Sequence, residues 1–338
     1  MPERLPHRVG EARGASFSPS HSVGGGWGEG SDPGGACRAA SWSRVVPGAG
    51  SWKRRLASLP VRRLTALIGL VLVASACGGS DTPAGSGSFP DGAFAFSASS
   101  NLAVGTERLL VAVANPDGSR LASPTISVTI SVWLEGREDQ PQELPGDFTW
   151  AIPDVSGLYR ATFQFDQAGL WEVRVTPQDA APLADFTVQV NPDATTPGVG
   201  DPAPLSDTPV VADHPIAEIS SDPDPDPRFY ELSVKDAVTS GRPTVVVFST
   251  PKFCQTAICG PTLDRVKEIA DDHPDVNFVH VEIYTNLDDP ATLELVPAVV
   301  EWGLPSEPWV FVVDGSGIVT ARFEGVVTPE EISAALAG

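Results

Sequence analysis

Residues 192–228 carry almost no apolar run, and Pro and Asp alternate most densely in Asp222-Pro-Asp-Pro-Asp-Pro227. Repeated Pro stiffens a chain toward polyproline II, and repeated Asp keeps it solvated. A calcium loop is disfavoured because alternating Pro removes the turn such a loop needs. The stretch therefore reads as a solvated spacer, and it divides the chain into two blocks with different hydrophobic periods.

The block before it, residues 91–191, alternates with period 2. Ile126, Val128, Ile130, Val132 and Leu134 fall on one strand face, and Ser127, Thr129, Ser131 and Trp133 on the other. Further strands are predicted at 94–98, 108–114, 147–152, 159–165, 171–175 and 186–190, with turn signals such as Asn115-Pro-Asp-Gly118 between them. Seven short strands over this length predict an all-β two-sheet sandwich. The run Pro153-Asp-Val-Ser-Gly-Leu-Tyr159 resembles the tyrosine corner of immunoglobulin-like sandwiches, in which a Tyr hydroxyl bonds back to nearby backbone. The resemblance is to the wider class, because the block has no cysteine for an inter-sheet bridge. It also lacks His and Met, so a metal site built on those ligands is excluded. Trp133, Trp150 and Trp171 are expected to pack rather than to form a sugar-binding surface.

The first 90 residues read as processing and tethering segments. Residues 1–60 are rich in Gly, Ser, Arg and Trp without a structural period, and are expected to be disordered or a spurious extension of a chain starting at Val61. Residues 61–76 place two arginines before a short apolar run that ends in small residues, the layout of a secretory signal peptide. The run is shorter than the ~20 residues of a membrane-spanning helix. Its end, Ala74-Ser-Ala-Cys77-Gly-Gly, resembles the lipobox of bacterial lipoproteins. That resemblance implies lipidation at Cys77, a flexible Gly/Ser tether over 77–90, and an extracytoplasmic protein anchored to the cell membrane.

The block after the spacer, residues 229–338, predicts α-β-α-β-α-β-β-α. A short helix spans 233–240 and is followed by the continuous apolar strand Thr244-Val-Val-Val-Phe-Ser249 of the buried parallel type. Helical spacing returns over 261–272, a second apolar strand covers 276–283, and a helix is predicted at 291–302. A hairpin joins 309–313 to 319–323 across Asp314-Gly-Ser-Gly317. Thr328-Pro-Glu-Glu331 is a capping box for a last helix.

This order, with Cys254 directly after the first long strand and before a long helix, resembles the thioredoxin superfamily. Gly241-Arg-Pro243 ahead of the strand, Leu304-Pro-Ser-Glu-Pro308-Trp309, and Arg322-Phe-Glu-Gly325 carry the same likeness. The whole chain is thus expected to be an all-β immunoglobulin-like sandwich followed by an α/β thioredoxin-like domain. The resemblance implies that Cys254 is the nucleophile, Cys259 the resolving thiol, and Pro308 a cis residue that holds a backbone edge beside the sulfurs. A thiolate attacks a disulfide and a thiol does not, and unpaired N–H groups at a helix start favour the thiolate.

Two departures from the family are visible. The spacing is Cys-Gln-Thr-Ala-Ile-Cys, with four intervening residues where two are usual. Cysteines five apart on a regular helix are separated by ~7.5 Å in rise alone, beyond the reach of an unstrained disulfide, so residues 255–258 must leave the helix. Pro261 is expected at the first helical position. Val247 stands where many relatives bury an Asp. Cys259-Gly-Pro-Thr-Leu263 also resembles the Sco copper-chaperone branch, whose His is expected near Ser306-Glu307, where this chain has none. His280 is expected to be a packed or rim histidine. Phe253, Trp302 and Trp309 could form an apolar rim or pack.

The chain carries 22 Lys and Arg against 43 Asp and Glu, a net charge of -21. That balance argues against nucleic acid and against a polybasic membrane contact. The reading is a membrane-anchored thiol–disulfide oxidoreductase acting on extracytoplasmic protein thiols or disulfides, with no cofactor and no resident metal expected. The alternatives are a non-catalytic binding module with a structural disulfide, and a Sco-like copper carrier.

Overall fold

The computed structural model describes residues 88–121 and 123–338. The expected extension at 1–60, the expected signal peptide at 61–76, Cys77 and all but the last three residues of the expected tether lie outside the described residues. No helix among the described residues is long and apolar enough to cross a membrane.

Seven strands form the first body, one for each stretch of alternation. They are β1 (Phe94–Ser97), β2 (Gly105–Ala114), β3 (Val128–Leu134), β4 (Gln142–Ile152), β5 (Ser156–Phe165), β6 (Gly169–Pro177) and β7 (Phe186–Val190). All pairings are antiparallel, in the order β1-β2-β5-β4-β3-β6-β7. β4 belongs to both halves: its residues 142–146 pair with β3 and residues 147–152 with β5. The crossing falls at Gly146, where a Cβ would lie 2.6 Å from Val128 Cγ2, so only glycine admits this approach. The halves fold over one another as a β-sandwich. Ile130, Val132, Phe163, Phe165, Val173 and Val190 are fully buried between them. Each such side chain contributes about 1.5–3 kcal/mol of transfer free energy. Trp133 and Trp171 are buried and Trp150 is half-buried.

Tyr159 corrects the tyrosine-corner expectation in its detail. It lies on β5, and its hydroxyl donates to the carbonyls of Ser123 and Ile126 at 3.0 and 2.9 Å, more than 30 residues upstream. The bond ties β5 to the segment leading into β3 and does not close a local corner. Burial pushes the phenol up to about 12, so it remains a donor.

The second body has a four-stranded sheet, β13-β12-β8-β9, in which β8 and β9 are parallel and the other pairs antiparallel. Along the chain come α1 (Ile216–Ile219), α2 (Val234–Thr239), β8 (Thr244–Ser249), α3 (Cys259–Ala270) and β9 (Asn277–Glu282). They are followed by the short pair β10 (Tyr284–Thr285) and β11 (Glu294–Leu295), then α4 (Pro297–Glu301), β12 (Trp309–Val313), β13 (Val319–Glu324) and α5 (Pro329–Leu336). Helices cover both sheet faces, which explains why β8 is buried at every position and apolar from Val245 to Phe248. Val245 and Val247 pack with Leu263, Val266 and Ile332 of α3 and α5. Val246 and Phe248 pack with Ala237, Val299 and Trp302 on the other face. The capping box at Thr328 and Glu331 is formed.

Two expectations change. The helix predicted over 291–302 shrinks to α4, because Pro297 forces Val296 into extended backbone at ψ 149°. The solvated spacer is instead an ordered strap on the second body. Gly200 and Ala203 donate backbone hydrogen bonds to Val319 and Gly317, both at 2.9 Å, and Val319 donates back to Asp201. Ser206 accepts from Trp302 Nε1 at 3.2 Å, and Asp222 pairs with Lys267 at 2.9 Å. Ala203 and Ile219 supply the buried apolar contacts that fasten it. The strand edge and the Lys267 ammonium thus use the polar groups that composition alone assigned to water.

The sandwich is joined to the second body. Leu110, Ala151 and Leu158 from its outer face form one buried cluster with Val326, and Ile258 packs against it. Arg108 and Arg160 both pair with Glu331, and Arg322 pairs with Glu107. Gly325 sits at this junction with φ +68°, and a Cβ there would stand 3.3 Å from Leu110 Cδ1.

Candidate functional site

β8 ends at Ser249, and the chain turns twice before α3 begins. Thr250 O accepts from the backbone N–H of Phe253 and Cys254, and Cys254 O accepts from Ala257 N–H at 3.3 Å. Ala257 adopts φ +60°, a left-handed conformation that costs a non-glycine residue about 1 kcal/mol or more. This turn provides the departure from helix that the four-residue spacing requires. Cys259, not Pro261, starts α3; Pro261 sits two residues further on, still among the positions whose N–H has no intrahelical partner.

The turn brings Cys254 back over the start of α3. Both cysteines are free thiols; Cys259 is buried and Cys254 half-buried. The free N–H of Cys259 points at Cys254 Sγ, 3.4 Å away, and the Thr256 hydroxyl lies 3.3 Å from the same sulfur. The Cys254 thiol is held down to about 5. A hydrogen bond from the Cys259 thiol is the leading cause; the Thr256 hydroxyl and the N–H groups of Cys259 and Ile258 add to it against the opposing effect of partial burial. The Cys259 thiol is pushed up, first because it donates to Cys254 and then because it is buried. The pair therefore holds one proton between two unequal sulfurs, with the charge on the accessible one.

Glu307 completes the site. Its carboxylate and the two sulfurs lie within 4.8 Å of one another. Burial, and then the Cys254 charge, raise its pKa. The Glu307–Pro308 peptide is cis, and Pro308 O accepts from Gly325 N–H at 2.8 Å. Two thiols and a carboxylate at this separation are a possible set for a thiophilic divalent cation.

Of the residues singled out in the sequence, Cys254, Cys259 and the loop of Pro308 are brought together. Val247 is fully buried under α3. Trp302 and Trp309 are core residues and form no rim; Phe253 is half-exposed, with Lys252 Nζ 5.1 Å from its ring centre. His280 is packed inside, its Nδ1 2.7 Å from Tyr230 Oη and its Nε2 2.8 Å from Ser249 Oγ. Burial holds it down to about 4, so it is neutral at physiological pH. Glu307, Thr256 and Arg120 were not picked out by sequence reasoning. Glu307 had a signal, its place immediately before the proline expected beside the sulfurs. Arg120, whose Nη1 donates to Thr256 O at 3.1 Å from 136 positions away, had none.

No family model and no curated protein matches this chain. Two solved structures, both variants of the superoxide reductase (neelaredoxin) from Ignicoccus hospitalis, align with 29% of this chain and 80% of theirs. The identity is 14% and the TM-scores are 0.21 and 0.20, so the likeness carries no argument about fold or function.

Proposed function

We propose that this protein is an extracytoplasmic thiol–disulfide oxidoreductase, built from an immunoglobulin-like sandwich and a thioredoxin-like α/β domain, and anchored to the membrane by a lipid on Cys77. The observation that carries the activity is the hydrogen bonding at Cys254, where a free helix-start N–H and the Thr256 hydroxyl both meet one sulfur, with the Cys259 thiol within 4.8 Å of it. That arrangement favours a thiolate at neutral pH on the more accessible cysteine. The arrangement of the strands as β1-β2-β5-β4 and β4-β3-β6-β7, with β4 passing from one half to the other, supports the immunoglobulin-like reading. Helices on both faces of a mixed four-stranded sheet, the thiol pair between β8 and α3, and Pro308 ahead of β12 support the thioredoxin-like one.

In the reducing direction, Cys254 thiolate attacks one sulfur of a substrate disulfide. A Cys254–substrate disulfide forms, and the other substrate sulfur leaves as thiolate and takes up a proton. Cys259 then loses its proton, with Glu307 the carboxylate at hand, and attacks Cys254 Sγ. The Cys254–Cys259 disulfide forms and the second substrate thiol departs. Two electrons pass from the pair to the substrate, and a dithiol reductant must return them; the oxidising direction is the reverse sequence. Closing the bridge draws the sulfurs together, which the irregular turn at 255–258 permits.

A redox titration of the full chain, followed by mass shift after thiol alkylation, tests the proposal. A catalytic couple is expected between about -270 and -120 mV. A couple below about -300 mV, with no reduction of insulin, would falsify it and leave a structural bridge. The Cys254, Cys259 and Glu307 cluster favours one second reading, metal carriage. The carboxylate is a hard donor that suits Zn(II) better than Cu(I). Equilibrium dialysis of the reduced protein against each ion separates the two readings, and no retention of either removes metal carriage.

A further inference from the structure

We propose that the cleft between the sandwich and the α/β region binds an extended polypeptide segment carrying an apolar side chain beside its cysteine, so that the sandwich sets the substrate preference of the thiol pair. The proposal rests on the thiol–disulfide reading and names the substrate class for that same site.

The cleft has a volume of about 310 Å³, at the small end of the ~300–1,000 Å³ range of ligand cavities. That is room for a side chain or two rather than a large cofactor. Phe96, Ala112 and Leu158 line it from the sandwich, and Ile258, Glu307 and Val326 from the α/β region. Neither thiol lines it, but Glu307, whose carboxylate lies within 4.8 Å of both sulfurs, does, as does Thr256 of the thiol loop. The sandwich wall is fixed to the thiol loop by the bond from Arg120 to Thr256 O. A segment seated in the cleft would thus be held at a set place relative to Cys254. A larger cavity of about 590 Å³, around Trp150, Arg160 and Glu331, has neither Glu307 nor any residue of the thiol loop in its lining.

Two observations select a polypeptide of this chemistry. On strand β1, Phe94 and Phe96 are each 39% exposed, with ring centres 6.0 Å apart. Large apolar side chains set side by side on a sheet edge extend the apolar lining beyond the cleft. Among the described residues β1 is paired as a ladder only with β2, which leaves main-chain groups on its other side for an extended chain. Charge narrows the choice further. Glu307 and Glu324 are the carboxylates of the lining, its cation Arg120 already donates to Thr256 O, and the protein carries a net charge of -21. The segment they accept is neutral or basic, and an acidic residue beside its cysteine is repelled.

The test uses the full reduced protein and fluorescein-labelled hexapeptides in which serine replaces the reactive cysteine, with either Leu or Asp next to it. Anisotropy should show the Leu-Ser peptide binding at least about tenfold tighter than the Asp-Ser peptide, and Phe96→Ser and Ala112→Glu should each weaken it by about tenfold, the scale of a well-packed interface contact. Phe96 is exposed, so its variant decides the matter if Ala112→Glu does not fold. Equal affinity for the two peptides, or wild-type affinity in Phe96→Ser, overturns the proposal. Exchange with 5,5′-dithiobis(2-nitrobenzoate) reports the thiol chemistry separately. Exchange without Leu-Ser binding sinks the cleft and leaves the oxidoreductase standing. Leu-Ser binding without exchange sustains the cleft and sinks the oxidoreductase.

Discussion

The sandwich and the α/β region bury strands of similar length and use them differently. In the sandwich, alternation puts one side chain in two into a single shared core, and a buried polar group such as the Tyr159 hydroxyl ties segments together. In the α/β region both faces of β8 are covered, so its C-terminal end is the place where the chain can carry polar chemistry, and the two thiols follow it. The difference shows where each body keeps its freedom. The sandwich has spare apolar surface on its outer face, and the α/β region has a reactive loop; the contact at Leu110, Leu158 and Val326 sets one beside the other.

The strongest way to break this contrast is at the reactive sulfur. Cys254→Ser is expected to lower the exchange rate with small disulfides by about a thousandfold or more, since a hydroxyl is a poor nucleophile at neutral pH. Stopped-flow exchange measures it, and a rate within tenfold of wild type would move the chemistry to Cys259. The companion Cys259→Ser should trap a Cys254–substrate disulfide, visible as an intact-mass adduct.

Next in size is the joint between the two bodies. Glu331→Ala leaves Arg108 and Arg160 largely buried beside each other without their carboxylate and removes half of the α5 capping box. About 3 kcal/mol of stability should be lost, on the scale of a broken buried ion pair. Chemical denaturation reads this directly. A loss under about 0.5 kcal/mol, the scale of a surface substitution, would mean that the two bodies are joined by apolar contact alone.

The titration of Cys254 sharpens the contrast further. Its thiol is lowered to about 5, so the thiolate is present above that pH and lost as pH falls through it. Alkylation by iodoacetamide should be flat from pH 6 to 8 and drop about tenfold per unit below 5, one proton per reactive thiolate. A mid-point near the ordinary thiol value of ~8.5 would deny the role of the Cys259 N–H and thiol. The smallest effect concerns the junction glycine. Gly325→Ala places a side chain at φ +68° against Leu110 and should cost about 1–2 kcal/mol, measured by thermal unfolding.

Much of the fold was legible because hydrophobic period is a local property. The seven alternating stretches became seven strands, and the continuous run at Thr244–Ser249 became the strand covered on both faces. The apolar spacing over 291–302 suggests a longer helix than forms, because Pro290 and Pro297 hold the residues before them in extended backbone. The strap departs from its composition for a related reason. Composition gives the solubility of a segment in isolation, and not the strand edge at Val319 or the Lys267 ammonium that wait for it.

By itself the sequence determined the two kinds of body, the order of their longer strands and helices, and the thiol pair with its irregular spacing. Each follows from side chains within a few residues of one another. Tertiary structure alone decided that Glu307 stands beside the sulfurs, that Arg120 holds the thiol loop from the sandwich, and that the outer face of β2 and β5 walls the cleft. Those contacts join residues far apart in the chain, and no local pattern encodes them: they exist only once two independently patterned bodies have been packed face to face.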